Sequence, residues 1–137
     1  MPADDDAESG SILLLTIGYA LLALVLVLVC VDATSLYLAQ KRTQAVADAA
    51  ALAGADGFIV TVEGGAVRAE LTDDGVAEQA AALVRAYGDA AVVDAGTPDG
   101  LSARVSVTTR WRPPVAALFV PDGLRLEATA TSRTALR

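Results

Sequence analysis

Between Ile12 and Val31 the chain reads ILLLTIGYALLALVLVLVCV, twenty residues without a charge. At 1.5 Å of helical rise per residue such a run covers about 30 Å, the thickness of a bilayer's hydrocarbon core. It predicts a transmembrane helix over 12–31 and removes those residues from the pool that can build a water-soluble core. A cleaved signal peptide fits less well, because it starts with basic residues and carries an apolar stretch of only about 7 to 15. Here the preceding MPADDDAESG holds Asp4, Asp5, Asp6 and Glu8 and no Lys or Arg. A lipoprotein signal also fits poorly, since Cys30 follows Val27, Leu28 and Val29 where small residues are expected. Cys30 is the single cysteine, so no intrachain disulfide is possible and it reads as an apolar filler.

The charge distribution bears on orientation and on partners. Lys41 and Arg42 are the basic residues nearest the span, on its C-terminal side, and by themselves favour a cytoplasmic C-terminal side. Of the net charge of -7, four acids precede the span, and from Asp32 onward thirteen acidic residues face ten basic ones. A mildly acidic exterior argues against a nucleic-acid partner and against a polybasic lipid-binding surface.

Nothing stops the helix beyond Val31: residues 32–55 contain no proline and Gly54 as their only glycine. The span is therefore expected to continue into water over 32–56. Leu38, Ala45, Ala49 and Leu52, with Ala53 beside them, share one face at spacings of seven, four and three, and are the candidate helix-packing or partner-contact residues. Gln44 and Asp48, four apart, can support each other, and Gly54 and Gly57 offer exits from the helix. Within the span, Gly18 and Tyr19 read either as a packing notch and a membrane ring or as a contact for a specific helix partner.

The remainder, 57–137, predicts a small α+β module. Phe58 to Glu63 before Gly64-Gly65 is a short strand or hairpin. A helix from about Gly75 to Tyr87, capped by Asp73 or Asp74 and closed by Gly88, buries Val76, Ala80, Leu83, Val84 and Tyr87. From Ala90 the period changes to two, with a turn at GTPDG, and Leu101, Ala103, Val105, Val107, Thr109 and Trp111 alternate against polar residues until Pro113-Pro114. After a crossing segment, Val115 to Val120, a second alternating run holds Leu124, Leu126, Ala128 and Ala130. The two long strands pair antiparallel, with the 75–87 helix across their apolar face.

The chain holds no histidine, which excludes Ser-His-Asp and Cys-His catalysis and the usual Cys/His zinc sites within it. Asp73-Asp74 is explained by helix capping, and Gly64-Gly65 lacks the spacing of a phosphate loop. No enzyme activity, no metal, no cofactor and no small-molecule substrate is expected. Arg104, Arg110 and Arg112 line one strand face, with Trp111 on the other; they read as a solvated face over a core plug, or as a domain surface for a partner.

The order Glu8, Gly10-Ser11, one apolar span, Asp32, then LYLAQKRTQ (Leu36 to Gln44) and ADAAALAGA (Ala47 to Ala55) resembles the N-terminal region of TadE/TadG-like proteins of the tight-adherence (Flp) pilus assembly system. The resemblance covers about a third of the chain. It implies a bacterial, single-pass cytoplasmic-membrane protein with its C-terminal domain outside, against the local charge bias; a long domain can be translocated despite flanking charge. It implies a pilin-like fold, whose long N-terminal helix packs its distal half on a small antiparallel sheet, and pilus-assembly or pseudopilin subunits as partners. One departure stands out: a prepilin-peptidase site has a glutamate five residues after its glycine, and five beyond Gly10 is Leu15. An uncleaved, minor or accessory component is expected. The alternative is a membrane-anchored envelope sensor or binding module unrelated to pili.

Overall fold

A computed structural model describes residues 5–133. Of the expected acidic tail over 1–11, Asp4 and the side chains of Asp5, Asp6 and Glu8 lie outside the described residues. From Asp5 the backbone is already helical, and α1 runs Asp5–Ala55, 51 residues without a break. Its most apolar 18-residue window has a mean hydropathy of 3.0 and none of it is buried by the rest of the protein, as a lipid-facing span requires. Inside it the Thr16 hydroxyl donates to the Ile12 carbonyl at 2.8 Å, so this polar group needs no water.

Beyond α1 come β1 (Ile59–Glu63) and β2 (Ala66–Glu70), then α2 (Asp73–Val84), β3 (Ala90–Gly96), β4 (Ser102–Trp111), a 3₁₀ turn (Ala116–Leu118) and β5 (Leu124–Arg133). β3, β4 and β5 form an antiparallel sheet in that order, with Val105 opposite Ala130 and Val107 opposite both Val92 and Ala128. A bulge at Val93 shifts the β3 register. β1 and β2 form a separate hairpin through Gly64 and Gly65, whose φ of 59° and 84° suit the turn that a two-residue loop demands.

The protein is α+β, with the distal half of α1 laid on β4 and β5. Val46, Ala47, Ala50, Ala51 and Ala55 meet Ala103, Val105, Val107, Ala128 and Ala130 in one buried cluster. Nearly every member is alanine or valine, so the helix can approach the sheet closely. Thr43, fully buried, donates or accepts across that seam to Thr109 at 2.6 Å, and its hydroxyl also reaches the Ala39 carbonyl at 3.0 Å. α2 adds Val76, Ala80 and Val84 to the same core.

Four expectations need correction. α2 packs on α1 and β3 and touches β4 only marginally, because α1 already covers the apolar face of the two long strands. Its N-cap is Thr72, extended at φ -117° and ψ 150°, whose hydroxyl accepts from the Gly75 amide at 3.2 Å. Asp73 is the first helical residue, and its carboxylate accepts the Thr97 amide at 2.7 Å. The helix ends at Val84, so Tyr87 falls outside it and is exposed. Gly54 is not an exit but a contact point: a Cβ there would sit 2.9 Å from Val76 Cγ1 and 3.4 Å from Ala103 Cβ.

Candidate interaction surfaces

The sheet buries α1 through Thr43, Val46, Ala47, Ala50, Ala51, Gly54 and Ala55. At 100° per residue, the expected stripe of Leu38, Ala45, Ala49, Leu52 and Ala53 lies on roughly the opposite side of the rod. Leu38 is 57% exposed and Leu52 61% exposed, Ala45 is exposed, and Ala49 and Ala53 are half-buried at the margins. The stripe therefore does not pack on the protein's own sheet. Its two leucines suggest an inner face, but a seam built for close approach selects alanine, glycine and threonine instead, and the leucines stand outside it.

This outer stripe continues into the span. Ile17, Leu24, Val31, Leu38, Ala45 and Leu52 recur every seven residues, and all are exposed. Seven residues fall about 20° short of two helical turns, so the column drifts slowly around a straight rod and favours a neighbour that winds left-handedly. Gly18 lies beside it at a shallow indentation of about 440 Å³ lined by Leu14, Leu15, Tyr19 and Leu22. A Cβ on Gly18 would meet nothing within 4 Å, so no contact within the chain uses the notch.

Polar contacts tie the domain to α1 where the apolar run ends. The Asp32 carboxylate accepts the backbone amides of Val115 at 3.0 Å and Ala116 at 3.1 Å. The Trp111 indole donates to Ser35 Oγ at 3.0 Å, and the Gln40 amide reaches the Glu127 carbonyl at 3.4 Å. Trp111 is thus half-buried at the membrane-proximal end of the sheet and not a plug in its core. Beside it a groove of about 1180 Å³ opens between α1 and the ends of α2 and β4, lined by Leu26, Val27 and Arg42 of α1 and by Arg110 and Arg112.

The three candidate arginines consequently separate. Arg110 and Arg112 line this groove, and Arg110 also donates to the Asp122 carbonyl at 3.4 Å. Arg104 is exposed farther along β4, opposite Thr131, and does not line the groove. Sequence reasoning missed Asp32 and Ser35 as positioning residues, though an aspartate directly after an apolar span is a visible signal. The expected Gln44–Asp48 pair forms, at 3.0 Å. Among the described residues, no three His, Cys, Asp or Glu side chains come together as a metal-ligand set.

Residues 10–57 match the family model Tad, described as "Putative Flp pilus-assembly TadE/G-like". The matched stretch takes in the span, Asp32, the sheet-facing seam and the outer stripe, and covers about a third of the chain; over it the chain is similar to that family. The match supports involvement in Flp/Tad pilus assembly, and the described residues hold one candidate membrane span. No curated protein and no solved structure matches the chain.

Proposed function

We propose that this TadE/G-like chain is a membrane-anchored minor pseudopilin or accessory component in the assembly of a Flp/Tad-type pilus or secretion system. It acts by protein–protein contact and not by catalysis, with the C-terminal domain outside the cytoplasmic membrane. The observation that carries the reading is the apolar column running from Ile17 to Leu52, exposed on both sides of the membrane boundary, within the segment that matches the family. A helix that used its own sheet to bury all its apolar residues would leave no such column. A second single-span subunit would offer the complementary geometry, a rod of equal reach in the same bilayer. Leu15 at the fifth position beyond Gly10 fits an accessory part better than a processed filament subunit.

The test is genetic and structural together. In the native host, loss of the gene should remove surface Flp pili, and the unmodified gene should restore them. Leu38→Glu combined with Leu52→Glu should fail to restore pili while leaving the protein's abundance and its melting temperature in detergent unchanged, since both side chains are exposed. Normal piliation without the gene sinks the reading. A C-terminal tag that resists protease on intact spheroplasts overturns the placement of the domain outside.

A further inference from the structure

The loop between β4 and β5 holds a patch that the helix contact does not explain. Its Leu118 is 92% exposed and its Phe119 86% exposed, more than any other large apolar side chain among the described residues. The loop is held in place at Asp32, the first residue beyond the apolar run, by the Val115 and Ala116 amides. It therefore meets α1 at the level where hydrocarbon gives way to headgroups.

A bilayer core of about 30 Å within a total of about 40–45 Å leaves roughly 5–7 Å of headgroup layer on each side. Three residues of 3₁₀ turn, at about 2 Å of rise each, carry the backbone only about 6 Å from Ala116 to Phe119. Both side chains stay within reach of that layer. Beside them, Arg110 and Arg112 line a groove that also takes in Leu26 and Val27 of the span itself. Asp89 is the carboxylate in that lining, and Asp32 nearby is already engaged by two amides. Trp111, whose ring prefers the membrane interface, sits among them.

We propose that this loop is a second membrane foot: Leu118 and Phe119 enter the headgroup layer next to Val31, and Arg110 and Arg112 hold anionic phospholipid headgroups. The acidic average of the chain argues against a basic lipid surface, but an average does not describe a local patch, and the fold places Arg110 and Arg112 beside Trp111, which is tied to Ser35 just beyond the span. Continuity of the groove with lipid-facing residues selects lipid over a soluble partner. The proposal rests on Ile12–Val31 spanning the bilayer and on no role in pilus assembly.

The experiment uses the full chain in phosphatidylcholine vesicles with or without phosphatidylglycerol. In a Cys30→Ala background, an environment-sensitive fluorophore is placed in turn through Leu118→Cys, Leu24→Cys in the span and Val67→Cys on the β1–β2 hairpin. Nitroxide-bearing lipid should quench the labels at positions 24 and 118 at least about threefold more than the label at 67. Adding Arg110→Gln with Arg112→Gln should cut quenching at 118 about twofold in the anionic vesicles and leave it unchanged in the neutral ones. Quenching at 24 with none at 118 overturns the foot and keeps the span, and leaves a protein partner as the occupant. No quenching at 24 overturns the span and the foot with it. An arginine variant that behaves like the parent overturns the headgroup contact.

Discussion

At the scale of single residues, the tightest constraint falls on Gly54. Its missing Cβ lets α1 approach Val76 of α2 and Ala103 of β4 together, both fully buried. Gly54→Leu should lower the domain's stability by about 1–3 kcal/mol or more through overpacking, while Leu52→Ala, two residues away on the exposed face, should stay within about 0.5 kcal/mol. Thermal unfolding in detergent, followed by circular dichroism, separates the two; equal losses would mean that the seam is not as close as described. Asp99 carries the pH dependence that the structure makes legible. The Leu101 and Ser102 amides, the Ser102 hydroxyl and Arg133 hold its carboxyl below the ordinary 3.8. A depressed carboxylate contributes stability above its unfolded value and loses it as pH falls through the lowered one. Asp99→Asn should therefore flatten the stability profile below about pH 4 and change its shape little above it, as acid titrations of the melting temperature would record.

At the scale of elements, the long helix and the alternating strands were readable because their periods are strong: twenty uncharged residues, then strict alternation from Leu101 to Trp111. Which face of α1 meets the sheet was not readable. Alanines occur all round that part of the helix, so hydrophobicity does not discriminate, and the deciding quantity is side-chain size at a seam that only the folded chain defines. The α2 boundary failed for a related reason: Thr72 and Asp73 are both good caps, and only backbone geometry chooses between them. The hairpin was legible from its Gly-Gly turn, but its isolation was not. β1 and β2 pair only with each other, and Ile59, Val60, Val62 and Val67 are all more than half exposed. A two-stranded hairpin alone is marginally stable in water. Its amides should exchange with deuterium orders of magnitude faster than those of β4, which is paired on both sides; equal protection would mean that the hairpin has found a partner.

At the scale of the whole molecule, the unbroken α1 is the element on which α2 and the long strands β4 and β5 are mounted. If the rod stays straight through Asp32, spin labels introduced by Leu24→Cys and Leu52→Cys in a Cys30→Ala background should give one narrow distance distribution near 42 Å, from about 28 residues of rise. A broad or markedly shorter distribution would place a hinge at the membrane surface. The same view explains why the candidate site was only half legible. Sequence similarity marks the rod, whereas the groove at its waist needs Arg42 and Arg110 brought together from sites 68 positions apart in the chain.

The ties from Asp32, Ser35, Gln40 and Thr43 to the sheet make rod and domain turn as one body. A body fixed in a bilayer in this way has given up tumbling: it keeps two directions of drift and one angle of spin. Two such bodies meeting in the same membrane therefore lose much less freedom than two proteins meeting in solution, and a stripe of modest leucines and alanines can suffice to hold them.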